Sequence, residues 1–438
     1  MSARASTSHH LGRRQLLGAS ALAATLALAA CSGGEGGSAD SDEITLTFWS
    51  HTHDPMNVLT EQIIADYEEA NPGVTIEYEV MPNQDFFTRM LTALSTGAGP
   101  DILNMNDVGL RGDYIPGGLV APLDAEALGS SSVEDVVARY TPSALDGATG
   151  ADGTVYGIPS EFNATAFAYN TEHFADAGLD PEQPPATWDE VIEAGEALAA
   201  AGHTQAFSFN YLHADSYTSQ LNMLLNQTGG SIVSADGTEA TIASDASIEA
   251  LTLWQQLATS GIGDPNVTTR DANNQVADLE SGTQSMMVVY PWGMAQIAQN
   301  APEVYEQLAV APLPQVDTDN PVSEGYGYYW AVNNASEQQA AAWEFIDFMS
   351  GYSEQWLSDV SFVQPLVGWE DGEAAQQMDG IEVWAEAYSS VTFAPVAPHW
   401  AEVQDAVMGM VNDVVFNGAD PAEAADAVAP RIEQSIAE

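Results

Sequence analysis

The sequence contains no lysine and only eight arginines among its 438 residues, against 63 aspartates and glutamates. Its formal net charge is −55. A protein that binds a nucleic acid places clustered lysine or arginine side chains against the phosphates, and one that lies on an anionic lipid surface needs a similar cluster. The composition therefore excludes a nucleic-acid partner and disfavours direct contact with an anionic membrane.

Cysteine is also scarce, because Cys31 is the only one in the chain. A disulfide within the chain is thereby excluded, and the fold must depend on the burial of apolar surface. Hydrophobic residues make up 45% of the sequence and aromatic residues 9%, as is typical of a globular protein. A chain of this length is expected to form about two or three domains with substantial cores.

The excess of acid over base predicts that salt stabilises the fold. Like charges on the surface repel one another, and the repulsion is screened at molar salt, where the Debye length falls to about 3 Å. We therefore interpret the chain as an acidic, halophilic protein from a saline or alkaline habitat.

The first thirty residues differ from the rest of the chain. They contain no acid, and they carry Arg4, Arg13 and Arg14 ahead of an apolar run over residues 16–30. This pattern is typical of a secretory signal peptide, and the run is too short for a membrane-spanning helix of about twenty residues. The adjacent arginines also resemble a twin-arginine signal, so export by that route and export by the general secretory route both stay open.

The end of this segment, LAAC, resembles the lipobox of bacterial lipoproteins, in which the cysteine becomes the new N-terminus and carries the lipid. The alternative is an unmodified thiol beside an ordinary cleavage site. We predict a signal peptide over residues 1–30, then a lipidated Cys31 and a flexible linker over residues 31–42. The folded body would contact the extracellular face of the cell membrane only through that lipid.

Strands and helices alternate at the start of the body. The apolar periodicity predicts them in the order strand, helix, strand, helix, strand over residues 44–49, 55–70, 74–80, 86–94 and 101–103. This order implies a parallel sheet with right-handed crossovers, and ligands of such sheets bind beyond the carboxyl ends of the strands. The rule places residues 49–54, 82–85 and 104–107 on one candidate rim.

A second region of strands and helices follows. Further strands are predicted at residues 164–169, 206–209, 285–289 and 327–332. Further helices are predicted at residues 188–200, 219–226, 246–260 and 340–348, with two more in the tail over residues 400–438.

Short motifs in a fixed order run through this body. They include YEEANPGV, GLVAPLD, YGIP, PPATWDE and AAWEFI, and they lie at residues 67–74, 91–101, 118–124, 156–179, 184–190, 290–292 and 341–346. Together they resemble the extracellular solute-binding proteins of ABC importers, specifically the sugar-type family 1 lipoproteins, over roughly residues 43–366. One departure is Tyr290, which stands where the family's GPW motif has glycine.

The resemblance implies an α/β, two-lobed periplasmic-binding-protein-like fold (type II, Venus-flytrap) with the ligand in an interlobe cleft. The chain would cross between lobes near Ile158, Gly282 and Val332, and the lobes would close on the ligand by a hinge motion. The implied function is to deliver a sugar to the membrane permease subunits of an importer, as a monomer without a cofactor. The implied lobes are an N-terminal one of residues 43–157 plus 283–331 and a C-terminal one of residues 158–282 plus 332–438.

A neutral sugar offers hydroxyl groups and C–H faces, so its site needs aromatic rings for stacking and planar polar groups for the hydroxyls. Side chains of both kinds occur on the candidate rim and in the neighbouring motifs. The two tryptophans among them could instead be core residues, and the asparagines and the glutamate could cap loops. We predict that the ligand is bound by Trp49, His51, Asn83, Asn104, Asn106, Glu161, Asn163, Tyr211, Trp292, Tyr326 and Tyr328.

The scarcity of cations favours an uncharged mono- or oligosaccharide, because a phosphate or carboxylate ligand normally needs basic partners. Five arginines follow the signal segment, and only Arg111 lies near the candidate rim. A glycerol-phosphate-type ligand held by Arg111 is therefore an alternative.

A secreted carbohydrate-active hydrolase and a metal-binding receptor are further candidates. A hydrolase would need two carboxyl groups on either side of one bond, which 63 acids supply by chance. A metal could use His51, His53 and Asp54, but no second cluster of histidine or cysteine supplies further ligands. No nucleophile-elbow, P-loop or dinucleotide motif is present, so we predict a protein that is not an enzyme, with no catalytic residue and no metal.

Overall fold

The computed structural model describes residues 43–209, 214–263 and 276–437, without the side chains of residues 83–85 and 215. The signal segment, Cys31, the linker and Tyr211 lie outside the described residues. The strands of the described part are β1 Ile44–His51, β2 Val74–Met81, β3 Ile102–Asn106, β4 Gly157–Ala164, β5 Ala166–Asn170, β6 Met286–Val289, β7 Leu308–Ala311, β8 Ser323–Val332 and β9 Val391–Thr392.

Helices surround these strands. A five-residue π-helical turn, Leu110–Tyr114, directly follows the third helix. In the first half of the chain they are α1 Asp54–Ala70, α2 Asn83–Ser95, α3 Asp107–Gly109, α4 Val133–Val137, α5 Thr171–Asp176, α6 Trp188–Ala201 and α7 Ala214–Thr228. In the second half they are α8 Asp245–Thr259, α9 Ala277–Glu280, α10 Pro291–Asn300, α11 Pro302–Tyr305, α12 Gln339–Ser350, α13 Ser353–Val360, α14 Ile381–Ser389, α15 Trp400–Phe416 and α16 Pro421–Ala437.

The first sheet has the strand order β2-β1-β3-β8-β4, with β9 paired to β8. Strand β1 is parallel to β2 and to β3, which confirms the parallel sheet predicted for the first three strands. Helix α1 follows β1 because the His53 ring caps its first turn and Pro55 fits the start of a helix. It ends at Ala70 with Asn71 as its C-cap, and Gly73 turns the chain into β2 with a φ of +109°.

The second sheet has the order β6-β5-β7, and both of its pairings are antiparallel. The strand predicted over residues 206–209 is wrong in its extent, because this segment makes a single bridge, from Phe207 to Met286. The two tail helices are confirmed as α15 and α16, which pack on each other and on α8.

Sheet membership differs from the lobes that the sequence predicts. Strands β6 and β7, which fall in residues 283–331, pair with β5 and not with the first sheet. Helices α12 and α13 pack on α1 beside the first sheet, although they follow residue 332. The predicted boundaries miss this arrangement because it depends on pairings between segments far apart in the chain, which periodicity does not report.

The chain passes between the two sheets at Thr165, between β7 and β8, and between β9 and α15, and not near Ile158, Gly282 or Val332. The first passage is a single residue, so β4 and β5 resemble one continuous strand in the sequence. The Thr165 N–H donates to the Ser323 hydroxyl at 3.0 Å, which holds two of the passages side by side.

In the described part of the chain, buried apolar side chains form three clusters, and the largest reaches both sheets, from Phe48 on β1 to Met287 on β6. This largest cluster covers the face of the first sheet toward α1 and includes Phe48 and Phe345, while a smaller one covers the opposite face and includes Phe86. A third cluster lies between the second sheet, α7, α8 and α15, and includes Trp254. In the part of the chain that the structure describes, no helix is both long enough and apolar enough to cross a membrane.

Candidate binding site

A cavity of about 380 Å³ lies where the two sheets approach each other. Its lining comes from the ends of β3 and β8, from the turn between β6 and α10, and from helices α7 and α15. Both sheets therefore contribute to one site, together with the passage between β9 and α15 through Ala394 and Val396.

Four aromatic rings form one side of the cavity, and we refer to Tyr290, Trp292, Tyr326 and Tyr328 as the aromatic wall. The rings of Tyr290 and Trp292 are nearly parallel, with 6.0 Å between centroids and 13° between planes. Tyr326 meets Tyr290 edge to face at 5.1 Å. The indole N–H of Trp292 donates to the Tyr326 hydroxyl at 2.7 Å. The rings thus hold one another in place before any ligand arrives, which reduces the entropy lost on binding.

Local sequence explains why these rings face the cavity. Alternate residues of a strand share a face, so Tyr326 and Tyr328 on β8 point the same way. Pro291 occupies the first turn of α10, where its missing N–H leaves no hydrogen bond unmade. Tyr290 before it has an extended backbone with a φ of −116°, so this position does not require the glycine of the family motif.

Glu324 lies on the same face of β8 and is 5% exposed. The Ser219 hydroxyl on α7 lies 3.1 Å from each of its carboxylate oxygens, and the Tyr290 hydroxyl donates to one of them at 3.2 Å. These contacts connect β8 and α7 with the residue before α10 through one buried acceptor.

Beside the aromatic wall, just after β3, the lining carries an ion pair between Asp107 and Arg111, with 2.7 Å between the Arg111 Nη2 and the Asp107 Oδ2. We refer to this ion pair as the charged wall. The Asp107 Oδ1 also accepts from the Gly327 N–H of β8 at 3.3 Å. The second guanidinium nitrogen of Arg111 donates to the Ala394 carbonyl at 2.9 Å, and the guanidinium lies 5.4 Å from the centroid of Phe393. The charge of Arg111 is therefore compensated by Asp107, and the side chain fastens the passage between β9 and α15. Its Nε has no hydrogen-bond partner among the described residues.

Asn106, the residue before the charged wall, also lines the cavity. Its side-chain oxygen accepts from the Gly109 N–H at 2.9 Å, so it also caps the short helix α3. The sequence analysis left two roles open for Asn106, a ligand contact and a loop cap. The structure places its side chain in the cavity lining and also at the start of a short helix.

Glu161 and Asn163 lie behind the aromatic wall and do not line the cavity. Asn163 donates to the Glu161 Oε1 at 2.7 Å, and the Tyr326 hydroxyl lies 3.4 Å from the same oxygen. Burial raises the pKa of Glu161 to about 7, although both hydrogen bonds act in the opposite direction.

His51 and Asn104 are also behind the wall. The His51 ring lies 4.7 Å from the ring of Tyr328, and burial lowers the pKa of His51 to about 4, so it is neutral at neutral pH. Asn104 is 1% exposed and accepts from the Ser160 hydroxyl at 2.7 Å. Both support the end of the first sheet, and neither lines the cavity.

The structure does not bring Trp49 to the cavity. Its ring packs on the side of the first sheet that α2 covers, with the Arg89 guanidinium 4.7 Å from the ring centroid. Asn83 begins α2, and its side chain is outside the described part of the chain, as is all of Tyr211.

The HTHD segment does not form a metal site with other groups. The His53 Nδ1 accepts from the Met56 N–H at 3.3 Å, and burial lowers the pKa of His53. Over the described ranges, no three histidine, cysteine, aspartate or glutamate side chains are grouped so that they could hold a metal ion.

Sequence reasoning placed Asp107 on the candidate rim without naming it as a ligand residue, and it missed several lining residues, among them Ser219, Tyr290, Glu324 and Trp400. Glu324 could have been found, because it precedes Tyr326 and Tyr328 at the same two-residue spacing. In the sequence Tyr290 stands out only as a departure from a motif. Ser219 and Trp400 carry no local signal, since α7 and α15 reach the cavity only through tertiary packing.

Comparison with known proteins agrees with this geometry. The profile of the family described as bacterial extracellular solute-binding protein matches residues 50–356. A binding protein of Brucella abortus is 26% identical over 396 residues, which are 88% of this chain and 91% of that protein. The erythritol/L-threitol-binding protein of Mycolicibacterium smegmatis is 25% identical, and the match covers 78% of each chain.

Among solved structures, the sugar-binding protein MalE of Xanthomonas citri is similar with a TM-score of 0.78 at 18% identity. The match covers 90% of this chain and 97% of that one. The architecture is thus the two-lobed α/β fold of such proteins. Since the family profile spans well over half of the sequence, this chain belongs to the bacterial extracellular solute-binding proteins.

Proposed function

We propose that this protein captures a neutral mono- or oligosaccharide in the cavity and delivers it to the permease subunits of an ABC importer. The observation that carries the proposal is the pairing of an aromatic wall with a charged wall whose ions compensate each other. Ring faces bind the C–H face of a sugar, and each favourable aromatic contact contributes about 0.5–1.5 kcal/mol beyond the area buried. Glu324, Asn106 and Ser219 supply oxygen atoms for hydroxyl groups.

The relatives support this ligand class. The Mycolicibacterium relative is named for two sugar alcohols, erythritol and L-threitol, which are uncharged polyols. The Xanthomonas structure is that of a sugar-binding protein. Both names agree with a site for neutral polyhydroxylated ligands in this chain.

A charged ligand and a catalytic role have weaker support. A glycerol-phosphate-type ligand would compete with Asp107 for Arg111, the only cation among the described lining residues. Arg270 lies outside the described part of the chain. A hydrolase would place an acid with a raised pKa against the substrate, but Glu161 is separated from the cavity by Tyr326.

The location of the protein is also a proposal. Lipidation at Cys31 would tether the monomeric receptor at the extracellular face of the cell membrane, near its permease. Among the described residues the two lobes would follow sheet membership, with residues 43–164 and 323–393 in one lobe and residues 166–209, 214–263, 276–311 and 400–437 in the other. Closure would then bend the three passages between the sheets.

Adaptation to salt is the remaining part of the proposal. A chain with 63 acids and eight arginines should gain stability as salt screens its self-repulsion. Thermal unfolding of the mature chain in low and in molar NaCl checks this. A melting temperature that rises no more than that of a neutral relative would contradict it.

A thermal-shift screen of the mature protein in molar salt tests the ligand class. A ligand that binds only the folded state raises the melting temperature, by a stabilisation of about 2.7 kcal/mol at a hundred times the dissociation constant. The panel holds hexoses, maltose, arabino-oligosaccharides, erythritol, glycerol 3-phosphate and Zn²⁺. We expect a rise with at least one neutral sugar or polyol, and no response to chelators.

Two variants locate the response. Trp292→Ala should abolish the shift, because it removes a ring of the aromatic wall. Trp49→Ala, which removes a ring of equal size outside the cavity lining, should keep it. A response to glycerol 3-phosphate or Zn²⁺ alone would contradict the proposal, and release of sugar products from a glycan panel would favour the hydrolase.

A further inference from the structure

We propose that Glu161 is a positioning residue, a buried carboxylate that fixes the orientation of Tyr326 and, through Tyr326, that of Trp292. The proposal rests on the proposed function for its purpose, since it explains how two rings of the aromatic wall are held for a ligand. Its geometry stands without any ligand.

The direction of each hydrogen bond follows from the chemistry of the groups. An indole N–H can only donate, so the Tyr326 hydroxyl must act as the acceptor in its 2.7 Å contact with Trp292. The single hydroxyl hydrogen of Tyr326 is then left for another acceptor. The Glu161 Oε1 lies 3.4 Å away and is that acceptor. This contact is longer than the hydrogen bond from Trp292 to Tyr326.

Asn163 is a second donor to the Glu161 carboxylate. Its side-chain nitrogen donates to the same Oε1 at 2.7 Å. Glu161 and Asn163 are two residues apart on β4 and therefore share a face of the strand. An irregularity in the pairing of β4 with β8, between Pro159 and Glu161, precedes them, and such bulges re-aim side chains.

The free-energy cost of burying the Glu161 carboxyl group argues that this side chain does more than fill space. Glu161 is 5% exposed, and the charged form of a carboxyl group is disfavoured by burial unless hydrogen bonds compensate. An apolar side chain would fill the same space without that cost. A carboxylate is required at this position only if its oxygen lone pairs accept hydrogen bonds. Here the donors are Asn163, which lies behind the aromatic wall, and Tyr326, which belongs to it.

The same geometry makes the orientation of the wall depend on pH. Burial raises the pKa of Glu161 to about 7, so its charge changes near neutral pH. The titratable side chains around it are Tyr326 and Tyr328 on β8 and Tyr388 on α14, and burial raises the pKa of Tyr326 and Tyr388 well above 10. A hydrogen bond to the ionised carboxylate is stronger than one to the neutral acid. The contact with Tyr326 should therefore tighten as the pH rises.

The indole ¹⁵N–¹H signal of Trp292 in ligand-free protein tests the proposal. Ten tryptophans give ten indole signals, and Trp292→Phe identifies the relevant one. In the unsubstituted chain we expect this signal to shift with a midpoint near pH 7. In Glu161→Gln, which keeps the shape and an acceptor oxygen, the pH dependence should be lost. In Glu161→Leu the signal should be displaced at every pH.

Glu68→Gln is the matched control. The Glu68 carboxylate accepts from the Ile76 N–H at 2.8 Å beside the first sheet and does not line the cavity. Its variant should leave the Trp292 signal and its pH dependence unchanged. If Glu161→Leu does not fold, the pH titration and Glu161→Gln still decide. A Trp292 signal that is constant from pH 5 to 9 and unchanged in Glu161→Gln would overturn the proposal, whether or not any sugar binds.

Discussion

The two walls of the cavity use polar atoms in opposite ways. On the aromatic wall the hydrogen bonds run from Trp292 to Tyr326 and end on the buried Glu161, behind the residues that line the cavity. On the charged wall Arg111 and Asp107 satisfy each other and the Ala394 carbonyl. Under the proposed function, the aromatic wall would recognise the ligand, while Arg111 of the charged wall fastens the passage between β9 and α15.

The largest expected effect is on the charged wall, from Arg111→Met. Asp107 is buried and also accepts from the Gly327 N–H, but the loss of Arg111 removes its 2.7 Å ion pair, which costs about 3 kcal/mol of unfolding free energy. Urea unfolding measures this cost. The double variant with Asp107→Asn should recover most of the loss. A loss below about 1 kcal/mol, as for an exposed pair, would break the comparison.

The next effect is on the aromatic wall. Trp292→Ala removes the stacked ring and the donor to Tyr326, so we expect affinity for a neutral sugar to fall about a hundredfold. Calorimetric titration checks this, with circular dichroism to confirm the fold. Arg111→Met should change the same affinity far less, and the reverse order of the two effects would exchange the roles of the walls.

Two buried groups behind the aromatic wall should give stability opposite dependences on pH. Burial raises the pKa of Glu161 from 4.5 to about 7, so the folded state holds the proton more tightly, and stability falls as the pH rises between these values. Burial lowers the pKa of His51 from 6.5 to about 4, so stability falls as the pH drops between these values.

Glu161→Gln should therefore become more stable relative to the unsubstituted chain as the pH rises from 5 to 8, by about 2 kcal/mol. His51→Gln should gain relative stability in the opposite direction, as the pH falls from 7 to 4. Unfolding free energies measured across this range give both slopes. Equal slopes in the variants and the unsubstituted chain would show that neither group is as buried as described.

The smallest expected effect is that of Trp49→Ala on ligand affinity. The ring packs under Arg89 and does not line the cavity, so affinity should change less than about twofold. Calorimetric titration beside Trp292→Ala makes the comparison within one experiment. A loss as large as that of Trp292→Ala would restore Trp49 to the binding site.

Periodicity in the sequence predicted β1 to β3, α1 and α2 well, because each has a clear apolar pattern and a breaker such as Gly73 at its end. Residue type and motif position also identified Trp292, Tyr326 and Tyr328, which line the cavity. Periodicity could not assign β6 and β7 to the second sheet, since strand partners far apart in the chain leave no local pattern. The single-residue passage at Thr165 is invisible for the same reason.

The predicted polar residues show a second limit of sequence reasoning. Glu161 and Asn163 are near the ligand cavity, but one side chain too deep to line it. The sequence predicted no strand over residues 157–163, and the depth of each side chain depends on the irregular pairing of β4 with β8.

The most direct test compares a neutral sugar with its own phosphate ester by calorimetric titration of the mature chain in molar salt. The sugar is the one that raises the melting temperature most. If the charges of the cavity compensate each other, the neutral sugar binds with one-to-one stoichiometry and the ester binds at least about tenfold more weakly. Tighter binding of the ester would contradict the account, because it would mean that Arg111 is available to an anion.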